Sequence, residues 1–214
     1  EYVGTDESGK GDLFGPLVVS GVYVNGRTKE LLRKIGVKDS KLLSDEQIIN
    51  ISKKIREVIP AVQRNVITIN PEKYNQLYSS FKNLNKLLAW GHSKAIENIV
   101  TANKVQTAVS DKFGNEGLII SELAKKKIDI NLHQEHKAER FTAVAAASIL
   151  AREKMLYWFK VSSKELKITI PKGAGDVANI TMNRISEIHG TQLLAKLVKL
   201  HFKNYVNYIS SKKG

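Results

Sequence analysis

The stretch YVGTDESGKGDLFGPLVVSGVYV, residues 2–24, contains two strand signals separated by a glycine-rich segment. Its first six residues, 2–7, read as a short strand, and its last eight, 17–24, read as a second strand that is almost wholly apolar. Three glycines stand between these two strands and favour a flexible turn. The stretch therefore predicts an antiparallel strand pair joined by a turn with little side-chain bulk.

Outward from this pair, strand and helix signals alternate along the chain. We predict strands over 65–69, 105–110 and 128–132, and helices over 27–34, 44–58, 84–100, 116–127 and 140–159, with a further helix beginning at Pro71. A strand–helix–strand run implies a parallel pair. The sequence thus predicts an α/β fold, with a mixed five-stranded sheet flanked by helices and a helical C-terminal region over about 176–210.

Composition narrows the class of protein. The 214 residues suit one domain, which we place over 1–214. The absence of cysteine excludes disulfides, thiolate catalysis and cysteine-bound zinc. No apolar run is long enough to cross a bilayer, and no secretory signal follows Glu1. We therefore expect a cytoplasmic protein without a membrane partner, and we expect a monomer.

Basic residues are in excess, with 34 Lys and Arg against 21 Asp and Glu, a net charge of +13. A balance of this kind favours a polyanionic partner such as nucleic acid, although it also serves solubility. Residues 192–209 predict one amphipathic helix, on which Lys196, Lys199 and Lys203 share the face opposite the apolar stripe. We expect this face to be exposed, and it is a candidate surface for holding a duplex electrostatically.

Carboxylates follow the predicted strands at the points where they end. Asp6 and Glu7 close the first strand, Asp111 follows the fourth, and Glu139 opens the small-residue helix after the fifth. If the first and fourth strands are neighbours, these acids converge at one edge of the sheet. Such a cluster suits Mg²⁺, which prefers oxygen ligands and relieves the repulsion. Taken singly, each acid is better explained as a surface residue or, for Glu139, as an acid favoured by the helix terminus; the Gly-Lys-Gly turn after Asp6 and Glu7 favours a shared site.

At this point the motifs resemble those of a known family. Residues 4–12, GTDESGKGD, and 14–18, FGPLV, resemble the opening motif of the type 2 ribonucleases H. The blocks GVKDSK and KAE, with AVAAASILAR close behind, resemble its later motifs over 36–41, 137–139 and 143–152. Three further blocks resemble the ribonuclease HIII subtype, and they span 70–75, 83–92 and 171–174.

The resemblance implies the ribonuclease H-like fold and an endonuclease that cuts the RNA strand of RNA/DNA hybrids. It implies 5′-phosphate and 3′-hydroxyl ends and a requirement for Mg²⁺ or Mn²⁺. The catalytic and metal-binding residues that it implies are Asp6, Glu7, Asp111 and Glu139. Backbone groups that contact the substrate are expected at Gly9, Lys10 and Gly11, and phosphate contacts at Lys10, Ser40 and Lys41.

Two departures favour subtype HIII, because ribonucleases HII usually have Arg where Lys10 stands and Asp where Glu139 stands. Ribonucleases HIII usually carry an N-terminal domain resembling the TATA-binding protein, and this chain starts at the expected catalytic strand. Either that domain was removed or the protein never had it. Two alternatives stay open: cleavage at single ribonucleotides embedded in DNA, as in ribonuclease HII, and a basic hybrid-binding protein without catalysis. His92 reads as a packed histidine without a chemical role.

Overall fold

The structure is a computed structural model that describes residues 1–212, and it contains the predicted mixed sheet. The strands are β1 (Tyr2–Ser8), β2 (Leu17–Val24), β3 (Arg64–Ile69), β4 (Thr107–Asp111) and β5 (Asn131–Glu135). Their order in the sheet is β3-β2-β1-β4-β5. Strand β1 is antiparallel to β2 and parallel to β4, and β4 is parallel to β5. The turn-linked pair at the start of the chain therefore forms the middle of the sheet.

Helices follow the strands as the sequence predicts, and their starts have local causes. Ser44 and Gln47 form a reciprocal capping box at the start of the second helix, and Pro71 occupies the first turn of the third. No helix within residues 1–212 has the length and apolar character needed to cross a bilayer. The helices are α1 (Gly26–Lys34), α2 (Asp45–Val58), α3 (Pro71–Phe81), α4 (Leu84–Val100), α5 (Gly117–Lys125), α6 (Thr142–Leu166), α7 (Asp176–His189), α8 (Thr191–Ala195) and α9 (Lys203–Ser211).

The chain forms two compact units, each built from separate segments. The first comprises Glu1–Ser8, Val18–Ile67 and Asn83–Lys154. The second comprises Gly9–Leu17, Thr68–Lys82 and the chain from Met155 onward. Our assignment of residues 1–214 to one domain stays a prediction.

In the first unit, helix α6 lies directly against β1. A side chain at Gly4 would place its Cβ 2.3 Å from the backbone nitrogen of Val144 and 2.6 Å from the Cβ of Ala143. This approach is possible only because small residues face each other there. It fixes the strand that carries Asp6 against the helix that follows Glu139.

In the second unit, the loop after β1 is joined to the C-terminal region. Phe14 forms an isolated bridge with Val198, and both side chains are fully buried. The backbone N–H of Gly15 donates to the carbonyl of Leu197 at 3.0 Å. These contacts hold the loop at Phe14 and Gly15 against residues 197 and 198.

The predicted fifth strand is displaced in the structure. We expected it over 128–132, but β5 spans Asn131–Glu135. Ile128 and Ile130 instead pack from the preceding loop against a core cluster that contains Leu123. Their alternating apolar pattern comes from this packing, and the ladder begins only where the N–H of Asn131 donates to the carbonyl of Gln106.

The C-terminal helix was also predicted wrongly. The expected single helix over 192–209 is two short helices, α8 and α9, separated by residues 196–202. Lys199 lies in this break and is fully buried, so it does not share an exposed face with Lys196 and Lys203. The backbone N–H of Lys199 donates to the carbonyl of Leu13, a contact that no helical periodicity predicts.

Candidate active site

The register of the central strands places Asp6 and Asp111 at the same edge of the sheet. Thr5 of β1 pairs with Ser110 of the parallel strand β4. The next residue of each strand is an aspartate, so the two carboxylates follow equivalent positions on neighbouring strands. Glu7 follows Asp6 directly, and its side chain is 10% exposed.

Asp6 is the most deeply buried of these acids, with 7% of its surface exposed. Burial, and then the charges of Glu7 and Asp111, raise the pKa of the Asp6 carboxyl well above its ordinary value. Hydrogen bonds from the Ser148 side chain and from the N–H of Glu7, at 2.8 Å for the latter, oppose this rise. Ionisation of Asp6 is thus unfavourable, and a bound cation would offset this cost.

Asp111 shows the same electrostatic pattern to a smaller degree. Burial raises the pKa of its carboxyl, and the charges of Glu139 and Glu7 add to the rise. The N–H of Ala138 donates to Asp111 Oδ1 at 3.2 Å and opposes it. The four carboxylates are therefore close enough to influence one another's ionisation.

Glu139 lies in a short 3₁₀ turn, Ala138–Arg140, rather than in the first turn of α6 as we expected. Its carboxylate pairs with the ammonium group of Lys41, with 2.6 Å between Nζ and Oε1. Burial acts to raise the pKa of Glu139, but the hydrogen bonds from Lys41 and from the backbone outweigh it and the pKa is lowered. The Lys41 side chain is 75% exposed, so its Nζ is able to exchange this partner for another anion.

His92 has a role that the sequence interpretation missed. It is fully buried on α4, and its Nε2 lies 3.1 Å from Glu7 Oε2. Because a carboxylate only accepts hydrogen bonds, Nε2 carries the proton. The hydroxyl groups of Thr5 and Ser110 lie 2.9 Å and 3.3 Å from Nδ1 and fix the ring from the other side. His92 thus orients Glu7.

The expected substrate-contact residues have different surroundings. The Ser40 hydroxyl is buried and lies 2.6 Å from the hydroxyl of Ser148, which in turn bonds to Asp6. Gly9 adopts φ +89°, and a Cβ there would lie 2.1 Å from the carbonyl oxygen of Pro16. A Cβ at Gly11 would meet nothing within 4 Å. The conformation of the loop and its contact with Pro16 therefore require glycine at position 9. No such requirement applies to Gly11, which has open space beside it.

The donor chemistry of the four acids fits a hard divalent cation. Every ligand atom would be a carboxylate oxygen, as Mg²⁺ and Mn²⁺ prefer, and a cation would relieve the repulsion that raises the pKa values of Asp6 and Asp111. Within residues 1–212, no three Asp, Glu or His side chains already stand in a metal-ligand arrangement. The four acids supply the negative charge. Glu139 would become available as a ligand once the Lys41 ammonium group moved away from its carboxylate.

Comparison with known proteins identifies the family. The family model named Ribonuclease HII matches residues 3–205. The chain belongs to this family. Ribonuclease HIII of Protochlamydia amoebophila is 42% identical over 202 residues, which make up 94% of this chain and 66% of that protein. Ribonuclease HIII of Chlamydia pneumoniae is 40% identical over 215 residues, 98% of this chain and 70% of that protein. The chain thus spans about two thirds of the length of these relatives.

A solved structure agrees with this assignment. The crystal structure of Bst-RNase HIII in complex with Mn²⁺ superposes with a TM-score of 0.89 at 32% identity, over 99% of this chain and 70% of that one. The predicted family, the ribonuclease H-like fold and the enzyme class, a ribonuclease H, are confirmed. The relatives support an endonuclease that acts on RNA/DNA hybrids.

Proposed function

We propose that this chain hydrolyses the RNA strand of RNA/DNA hybrids at the cluster formed by Asp6, Glu7, Asp111 and Glu139, leaving 5′-phosphate and 3′-hydroxyl ends. The observation that carries the proposal is the strand register that places Asp6 and Asp111 at one edge of the sheet, where burial and neighbouring carboxylates raise the pKa of both. Acids perturbed in this way are candidates for a functional site, and a carboxylate cluster suits metal-dependent phosphodiester hydrolysis. We infer that the protein acts as a cytoplasmic monomer with an RNA/DNA duplex as partner.

The four carboxylates would hold Mg²⁺ or Mn²⁺, which supplies an acidified water and neutralises charge on the leaving oxygen when bound. Asp6 is fixed by Ser148 and by the N–H of Glu7. Glu7 is oriented by His92. These bonds hold Asp6 and Glu7 in place, so the reorganisation that metal binding requires falls mainly on Lys41 and Glu139.

Recognition of RNA rests on the 2′-hydroxyl, the local difference between RNA and DNA. The Gly9-Lys10-Gly11 segment follows β1 directly in the chain, and the open space beside Gly11 leaves its backbone accessible. We assign the backbone of this segment to sugar hydroxyls and Lys10 to a phosphate. Contacts of this kind go to sugar and phosphate, so cleavage should show little dependence on base sequence.

Cleavage of two substrates tests the proposal. A fully hybrid duplex and a DNA duplex with one embedded ribonucleotide are incubated with the enzyme, with Mg²⁺, with Mn²⁺ and with a chelator. We expect metal-dependent cleavage of the hybrid and weak cleavage of the single ribonucleotide. Preferred cleavage of the embedded ribonucleotide would assign the chain to the alternative, ribonuclease HII-like activity. Binding without cleavage under all metal conditions would overturn the catalytic proposal.

Loss of the His92–Glu7 bond should lower turnover. His92→Phe keeps a ring that stacks 5.0 Å from Phe113 but removes both nitrogens. Since removing a group that orients a metal ligand typically costs 10–100-fold, we expect kcat to fall by about that factor with KM for the hybrid nearly unchanged. Calorimetric titration with Mn²⁺ should show weaker binding to match.

His92→Gln provides the matched control for this variant. Its amide can donate to Glu7, so it should restore part of the turnover and part of the Mn²⁺ affinity. If His92→Phe kept the turnover and the Mn²⁺ affinity of the wild type, the bond would have no positioning role.

A further inference from the structure

A basic cavity adjoins the acid cluster within the first unit. Its volume is about 580 Å³, and both members of the Lys41–Glu139 ion pair line it. Five cationic and two carboxylate side chains line the cavity, a net charge of +3. The cationic side chains are Arg33, Lys38, Lys41, Lys137 and Arg140. A cavity of this charge attracts an anion, and its wall includes one of the proposed catalytic acids.

Not all of these cations are neutralised by the protein. Arg140 forms a two-pronged pair with Glu135, and Arg33 lies 3.6 Å from Glu30. Lys38 and Lys137 are exposed and have no ion-pair partner within residues 1–212. Two exposed ammonium groups that line this cavity are therefore available to an incoming ligand.

The backbone around the cavity also favours an anion. Helix α6 begins at Thr142, and Thr142 and Ala145 both line the cavity, so the positive end of a 25-residue helix lies at its wall. Lys137 adopts a left-handed backbone conformation with φ +59°, which is uncommon for a residue other than glycine. It is the residue immediately before the turn Ala138–Arg140, which carries Glu139.

We propose that this cavity binds a backbone phosphate of the nucleic acid, adjacent to the phosphate that is cleaved, and thereby sets the register of the strand on the acid cluster. The inference rests on the proposed function and deepens it. Every nucleotide of a strand carries a phosphate, so a strand bound at the acid cluster presents neighbouring phosphates beside Glu139. Lys38 and Lys137 bind the phosphate, and the start of α6 adds to the favourable field.

The double variant Lys38→Gln/Lys137→Gln tests the proposal. Binding of the hybrid is measured in chelator, where no cleavage occurs, over a range of salt concentrations. Loss of one phosphate contact should lower the slope of log affinity against log salt by about 0.9. In Mg²⁺ at low salt, KM should rise about tenfold with kcat nearly unchanged, because the contact is equal in the ground and transition states.

The control is Lys53→Gln/Lys54→Gln, which removes the same charge from exposed positions on α2 that do not line the cavity. It should keep the wild-type slope and KM. An equal loss in the two double variants would show a diffuse electrostatic effect and would overturn the proposal. So would a Lys38→Gln/Lys137→Gln variant indistinguishable from wild type.

A scan of neutral phosphates identifies the contact itself. Hybrids with a single methylphosphonate at successive positions around the cleavage site are bound to wild type and to the double variant. At one position the wild type should lose affinity while the Lys38→Gln/Lys137→Gln variant does not, because its contact is already absent. Equal losses at every position would overturn the cavity assignment. Failure of wild type to cleave any hybrid would instead refute the proposed function, and the binding scan would still decide the cavity.

Discussion

Asp111→Asn should abolish cleavage of the hybrid and leave the fold intact. The N–H of Ala138 donates to Asp111 Oδ1, and an asparagine keeps an oxygen in that position. The variant therefore loses charge without losing shape. Interaction with a divalent cation contributes several kcal/mol to such reactions, and each 1.4 kcal/mol changes the rate tenfold. We expect the single-turnover rate to fall by about 10³-fold.

Three measurements check this result: single-turnover cleavage in Mg²⁺ and in Mn²⁺, calorimetric binding of Mn²⁺, and the thermal unfolding midpoint. The midpoint should stay near that of wild type, or rise, because the repulsion from Glu7 and Glu139 is relieved. Asp129→Asn, at an exposed acid outside the cluster, should leave all three unchanged. Retention of more than about a tenth of the wild-type rate would exclude Asp111 as a catalytic ligand.

The elements that the sequence predicted well are those with local signals at their ends. The capping residue Ser44 and the helix-opening Pro71 placed α2 and α3 correctly, and β2 has the predicted bounds. The displaced strand β5 has no capping residue or proline that marks where it begins. An apolar alternation at Ile128 and Ile130 looks the same whether it faces a sheet or packs from a loop.

For the site, the positions of the acids could be predicted, but their partners could not. Strand ends and motifs singled out Asp6 and Asp111. The bond between Glu7 and His92 joins residues 85 positions apart, and the Lys41–Glu139 pair joins residues 98 apart. Only the folded chain brings such groups together, so a buried histidine among apolar residues gave no sign of its contact with a carboxylate.

Lys199 shows the opposite failure, in which a periodic pattern predicts an exposed face that does not exist. The chain breaks between α8 and α9, and Lys199 Nζ donates to the carbonyl of Asp12 at 2.6 Å. The ammonium group lies over the rings of Tyr74 and Phe202, 5.5 Å and 5.9 Å from their centres. The prediction that Lys196, Lys199 and Lys203 form one duplex-binding face is therefore wrong.

Instead, this buried lysine should make the stability of the chain depend on pH. Burial lowers the pKa of Lys199 from 10.5 to about 7, against the opposing charge of Asp12. Below about pH 7 the native and unfolded chains both carry the proton, so the lysine adds no pH dependence. Between about 7 and 10.5 the unfolded chain keeps a proton that the native chain has lost, so stability rises with pH by up to about 1.4 kcal/mol per unit.

Urea unfolding at several pH values between about 7 and about 9 measures this rise. The free energy of unfolding of wild type, relative to that of Lys199→Met, should increase with pH across the window, because methionine fills the site without a proton to lose. Lys196→Met, at an exposed lysine three positions earlier, should follow the wild-type pH dependence. Parallel curves for wild type and Lys199→Met would mean that the amine keeps its proton inside the fold. In that case the carbonyl of Asp12 and the aromatic rings together would outweigh the cost of burial.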